Sequence, residues 1–123
     1  MVANPLLNHI LSDERLTRGL GDAEARVLVE WLVEQAEELM RTDPAAEAGR
    51  AVHWLCLRGR AVARFVRLWC ADGDRGAAGQ LAAAERFAWP MPDAHADPCE
   101  LMQAIVACES DQFWQRHRKP LAA

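Results

Sequence analysis

Apolar residues recur along this chain every three or four positions, which is the spacing of one face of an α-helix. No run of β-branched and aromatic residues alternates with polar residues for more than a few positions, so the pattern predicts no strand. The periodic segments open with a capping residue or a proline and close near a glycine or a proline. The pattern therefore predicts an all-α protein.

This punctuation predicts five helices, which span residues 4–19, 22–41, 43–71, 74–87 and 97–117. The dipeptides at 4–5, 43–44 and 97–98 each place Asn or Asp before proline, which is typical of a helix start. The first helix is either continuous or restarts at Ser12. Because the connections are short, they favour antiparallel neighbours. We therefore expect a single-domain bundle of about five helices over residues 1–123, with a frayed tail from residue 117.

Composition agrees with one globular domain, since 51% of the 123 residues are hydrophobic and 26% are charged. The net charge of -4 argues mildly against bulk binding of nucleic acid. Apolar runs are short and interrupted by charges, and no basic region leads into an apolar stretch at the N-terminus. We therefore expect no membrane association and no signal peptide. Without an export signal, the four cysteines are expected to be reduced thiols, which favours a cytoplasmic location. The preference for arginine over lysine favours a bacterial source.

The predicted third helix carries a basic face opposite its apolar stripe. At 100° per residue, its members fall within roughly 100° of one another; they are Arg50, His53, Arg60, Arg64 and Arg67. One interpretation is a solvated face whose arginines pair with glutamates of the second helix. The other is a docking surface for an acidic partner, either a protein or a nucleic-acid backbone. No aromatic stacking platform accompanies the face, so we favour a protein partner.

Glu109 projects into the middle of the apolar face of the predicted fifth helix. A carboxylate in that position must be paired, be neutral or line a cavity. Arg58 lies at the edge of the apolar stripe of the third helix, away from the other arginines. We therefore predict a buried ion pair between Arg58 and Glu109. The alternatives are an acid that lines a pocket and a helix face that is not fully buried.

Three of the five tryptophans are candidate hydrophobic anchors for a partner, because tryptophan and arginine dominate interface hot spots. They are Trp31, Trp89 and Trp114. Trp31 projects toward the acidic side of the second helix, and Trp114 falls off the apolar face of the fifth. For Trp31 and Trp114 the favoured interpretation is that each is half-buried under a neighbouring helix, and Trp89, in a stiff apolar loop, suits either role.

A metal site is conceivable but has little support. His53 and Cys56 are three residues apart, and His95 and Cys99 are four apart, so together they could form a tetrahedral zinc site. No CxxC motif occurs, however, and a free cysteine in a helix is most often a small core residue. No catalytic motif surrounds either serine, and no glycine-rich loop could hold a phosphate. We therefore predict no metal, no cofactor and no catalytic residue.

The sequence favours a non-enzymatic helical module that binds another protein or self-associates, or a small subunit of a macromolecular complex. A first alternative is a subunit of a nucleoprotein complex that contacts phosphates through Arg60, Arg64 and Arg67. A second alternative is an enzyme or metal-binding bundle built around Glu109 and the histidine and cysteine pairs.

Overall fold

The computed structural model describes residue 12, residues 14–42 and residues 47–117. These residues form helices and no strand, which confirms the all-α prediction. Four helices exceed a single turn, namely α1 (Asp22–Thr42), α2 (Glu47–Val66), α3 (Arg75–Ala84) and α4 (Pro98–His117). An isolated helical turn, Glu14–Thr17, precedes α1, and a π-helical turn, Arg67–Ala71, extends α2.

The helix count differs slightly from the expected five, because the described residues before α1 form only one turn of helix. The predicted helix starts at 4–5 and at 43–44 lie outside the described residues. The start of α4 agrees with the prediction, since the Asp97 carboxylate accepts a hydrogen bond from the Glu100 N–H at 3.0 Å and caps the helix. None of the described helices is both long and apolar enough to cross a membrane.

Three long helices, α1, α2 and α4, contact one another and enclose the core. Each turns one apolar stripe inward, as the helical spacing of its leucines, valines and aromatic residues predicts. Removing such side chains from water stabilises the fold by about 1.5–3 kcal/mol each. The large apolar side chains that are almost fully buried are Leu16, Leu28, Leu32, Val52, Leu55, Val62, Phe65, Met102, Ile105 and Phe113.

Helices α1 and α2 pack closely at Gly59. A Cβ atom at this position would lie 3.0 Å from Cδ2 and 3.2 Å from Cδ1 of Leu32, which is fully buried. A glycine inside a helix costs about 1 kcal/mol relative to alanine. Because residue 59 has no Cβ, the Leu32 side chain can pack directly against α2, and this packing offsets the cost.

The end of α3 is a Schellman motif built on an arginine. The Phe87 N–H donates to the Ala82 carbonyl at 3.0 Å, and the Arg86 N–H donates to the Ala83 carbonyl at 3.2 Å. Arg86 adopts a positive φ of 55°, a conformation in which glycine is usual. The helix therefore ends at Ala84, before the predicted Phe87, and the chain turns back so that the Phe87 ring meets Phe65 edge-on at 5.9 Å.

The π-helical turn holds the loop that connects α3 to α4. The Asp72 N–H donates to the carbonyl of Arg67, five residues earlier, at 2.9 Å. The Trp69 indole N–H donates to the carbonyl of Asp93 at 3.0 Å. The Arg75 guanidinium lies 5.4 Å from the centre of the Trp69 ring and donates to the Ala94 carbonyl. These contacts fix the loop on the end of α2 and so fix where α4 starts.

We expect Gly79→Ala to raise the free energy of unfolding by about 0.5–1 kcal/mol, because alanine favours the helix and no other segment lies within 4 Å of the new methyl group. Gly59→Ala should stabilise the protein less, or destabilise it, because Leu32 has to move. Urea unfolding followed by circular dichroism measures both effects. Equal stabilisation by the two substitutions would contradict the close crossing at Gly59.

Candidate functional site

Arginines in α2 and its π-helical extension have almost no acidic neighbours along the helix, whose one carboxylate is that of its first residue, Glu47. Residues 48–71 contain five arginines and no aspartate or glutamate, although the whole chain carries a net charge of -4. Apart from Glu47, which lies three residues before Arg50, the helix places no carboxylate three or four residues from an arginine. The charge of the later arginines must therefore be met by other elements, by solvent or by a partner.

One side of α2 is open to solvent along its length. Leu57 is 48% exposed and lies seven residues from Arg50 and seven from Arg64, both of which are also exposed. Seven residues are close to two helical turns, so these three side chains follow one line. His53 is exposed and Arg60 is half-buried beside the same line. We call these five residues the outer stripe.

The described acidic residues do not pair with the two arginines at the ends of the outer stripe. Arg50 and Arg64 form no ion pair with any acidic side chain that the structure describes. On α1, Glu38 pairs with Arg41 of its own helix. For Arg50 and Arg64, the structure therefore does not support the interpretation that the basic face is neutralised by glutamates of the preceding helix.

Arg67 belongs to the predicted basic face but is engaged within the molecule. Its Nη1 atom donates to the Arg18 carbonyl at 3.5 Å, and its side chain lies against Gly19, where a Cβ atom would come within 2.5 Å of Cδ. Gly19 also has a φ of 82°, which favours glycine. Arg67 thus ties the segment before α1 to the end of α2.

Arg58 points away from the outer stripe and meets Glu109 of α4. Its Nε atom lies 2.6 Å from Oε1 and its Nη2 atom lies 2.9 Å from Oε2, which is a bidentate ion pair. Glu109 is only 1% exposed. The structure therefore brings together the two residues that the sequence analysis pairs.

The surroundings of Arg58 satisfy the rest of its guanidinium group. Nη1 donates to the carbonyl of Glu85, just after α3, at 2.7 Å. The guanidinium carbon lies 4.6 Å from the centre of the Phe87 ring and 5.7 Å from that of Trp54, close enough for cation–π attraction. Arg58 therefore joins α2, α4 and the end of α3, and its chemistry is structural.

Trp31 and Trp89 lie in the core, which corrects their interpretation as surface anchors. They are 6% and 8% exposed, and the Trp89 ring stacks on Phe87 with 4.0 Å between ring centres. An anchor has to reach the partner, and buried rings cannot do so. Helical phase predicts which side of α1 carries Trp31, but it does not predict which other elements cover that side.

Trp114 is half-buried beside a groove between α1 and α4. Its indole N–H donates to Oε1 of Gln35, which also accepts a hydrogen bond from the Ser110 hydroxyl at 3.2 Å. The groove encloses about 430 Å³, and its other lining residues are Glu34, Glu37, Glu38 and Arg41. Trp114 is thus held by its own molecule and leaves only part of its ring open.

The histidines and cysteines of the hypothetical zinc site do not converge. Cys56 is fully buried whereas His53, three residues away, is exposed. His95 is exposed in the loop before α4, and the half-buried Cys99 thiol accepts a long contact of 3.8 Å from Gln103. Across the described part of the chain, no three histidine, cysteine or carboxylate side chains come together in a way that could hold a metal ion.

Leu57 is the residue that sequence reasoning missed. It lies at the centre of the basic face, for which the residue types predict only cationic contacts. The signal was present, because an apolar residue seven positions from two arginines shares their side of a helix.

Comparisons with protein-family models, with curated proteins and with solved structures find no match to this chain.

We expect Glu109→Gln to lower the free energy of unfolding by about 3 kcal/mol, because the largely buried Arg58 guanidinium loses its bidentate partner and, among the described carboxylates, keeps only the exposed Glu85 group, 3.5 Å away, as a counter-ion. Asp111→Asn, an exposed change on the same helix, should alter it by less than about 0.5 kcal/mol. Urea unfolding of both variants measures the difference. Similar effects at the two positions would show that the ion pair does not stabilise the fold.

We expect Cys56 to react with iodoacetamide much more slowly than Cys99 and Cys108 in the folded protein. Burial raises the pKa of the Cys56 thiol, an effect that nearby Arg60 only partly opposes, and the side chain is fully buried. The other two cysteines are half-buried. Peptide mass spectrometry with and without urea reports each site. Rapid labelling of Cys56 without urea would contradict the packing described for α2.

Proposed function

We propose that this protein is a helical interaction module whose outer stripe docks on an acidic surface of a partner protein. The observation that carries the proposal is Leu57, which is 48% exposed between the exposed Arg50 and Arg64. A leucine that a partner covers contributes about 1.5–3 kcal/mol to association. Arginines on either side steer an acidic partner toward it and set its orientation.

A protein partner suits the outer stripe better than a nucleic-acid backbone does. Phosphates would neutralise the arginines but would leave Leu57 in water. Arg67, one of three arginines expected to contact phosphates, already donates to a carbonyl of its own chain. The net charge of -4 also disfavours approach to a polyanion outside this one stripe.

The test is the affinity of the full chain for a fluorescent, helix-forming acidic peptide of about 20 residues that contains leucine. We expect Leu57→Ser to weaken binding by about tenfold or more, because the leucine is no longer there to bury. Met91→Ser is the matched control, since Met91 is 49% exposed on the loop before α4. Fluorescence anisotropy measures each affinity, and circular dichroism checks each fold.

Charge is tested in the same assay with Arg64→Glu, which should weaken binding and reduce its dependence on salt. Arg26→Glu, an equal change at an exposed position of α1, should leave binding unaltered. If Leu57→Ser has no more effect than Met91→Ser, the proposal is wrong. Tight, salt-dependent binding of duplex DNA or RNA that survives Leu57→Ser would favour the nucleoprotein alternative instead.

A further inference from the structure

The outer face of α4 is opposite in charge to that of α2. Residues 98–115 contain no arginine or lysine. Four exposed residues of this segment follow one line at helical spacing, with acidic side chains at the ends and alanines between them. They are Glu100, Ala104, Ala107 and Asp111, and we call them the acidic stripe.

The two stripes match in charge, and they match in length once Asp97 is added to the acidic stripe. Arg50 and Arg64 lie 14 residues apart with Leu57 midway, which spans about 21 Å of helix. In the acidic stripe itself, Glu100 and Asp111 lie 11 residues apart, and the exposed cap residue Asp97, just before α4, extends the line of carboxylates to a separation of 14 residues with Ala104 midway. The small side chains of Ala104 and Ala107 leave a shallow hollow for a larger residue. A helix bearing Leu57 can approach closely there.

We infer that the partner of the outer stripe is a second copy of this chain, which presents its acidic stripe. The inference rests on the proposed function, since it names the partner of the same stripe. Leu57 of one copy packs on Ala104 and Ala107 of the next. Arg50 and Arg64 reach carboxylates at the two ends of that face. Because each stripe reads nearly the same in both directions, the match holds for parallel and for antiparallel helices.

The outer face of α1 is a poorer match, although it also carries carboxylates. Its exposed line runs through Glu30, Glu34 and Glu37, with a carboxylate at the centre where Leu57 needs an apolar contact. Arg26 and Arg41, both exposed, flank these glutamates and would repel the arginines of the outer stripe. Among its described side chains, the acidic stripe of α4 has alanines at its centre and no flanking arginine.

The two stripes lie on different helices, so each copy uses different surfaces for its two neighbours. Such a contact is heterologous, and it builds rings or open chains rather than a symmetric dimer. A single pair of crossing helices makes a small interface, so we expect weak and reversible association. Salt should weaken it further, because the charges at its edge are exposed and the Debye length falls from about 8 Å at 0.15 M salt to 3 Å at 1 M.

Sedimentation analysis of the full chain up to about 1 mM tests the inference. The wild type should associate as concentration rises, and more strongly at low salt. Leu57→Glu and Ala104→Arg should each weaken association by about tenfold or more, because each puts a bulky charged side chain opposite like charges of the facing stripe. Met91→Glu and Ala83→Arg introduce the same residues at exposed positions outside both stripes and should behave as the wild type does.

Mixing the two stripe variants gives the decisive result. Leu57→Glu keeps an intact acidic stripe and Ala104→Arg keeps an intact outer stripe, so the mixture should form one-to-one dimers that grow no further. Association of the wild type that neither variant weakens, or a mixture that stays monomeric, would overturn the inference. A wild type that remains monomeric throughout would also overturn it, whereas binding of the acidic peptide decides the proposed function separately.

Discussion

The fold depends on how it accommodates one buried carboxylate. Glu109 is placed by the helical spacing of α4 in the middle of an apolar face, where an uncompensated charge would cost several kcal/mol. Arg58 supplies the counter-charge through two hydrogen bonds, and its remaining nitrogen takes the carbonyl of Glu85. The aromatic rings of Trp54 and Phe87 exclude water around it. One interaction thereby fixes three elements relative to one another.

The inward position of Arg58 also explains why the outer stripe of α2 faces outward. Gly59 admits Leu32 on one side of the helix, and Arg58 holds α4 on another. With two sides committed to neighbours, the third is left for solvent or for a partner, and there the sequence concentrates cations around Leu57. The orientation of the outer stripe therefore follows from the same contacts that hold the core together.

Much of this arrangement could be predicted from residue spacing alone. Helical phase gave the all-α class, the inward position of Glu109 and the pairing partner on α2. Phase on one helix does not show what covers a side chain from outside, so it does not predict the burial of Trp31 and Trp89. The sequence predicts the end of α3 too late because Arg86, and not glycine, takes the left-handed position of the cap. The basic face of α2 is conspicuous for its charge, which does not by itself indicate that Leu57 is exposed within it.

The π-helical turn after Val66 changes the helical register of the chain. A π-helical turn holds more residues than an α-helical one for the same number of closed hydrogen bonds, so it resembles a helix that has absorbed one inserted residue. Everything before the turn keeps its register, and everything after it is rotated. Within the turn itself, the Trp69 indole donates to the loop carbonyl of Asp93 and the Arg67 side chain donates to the Arg18 carbonyl. The regular part of the helix, with its line of arginines and leucine, therefore ends where the register is reset.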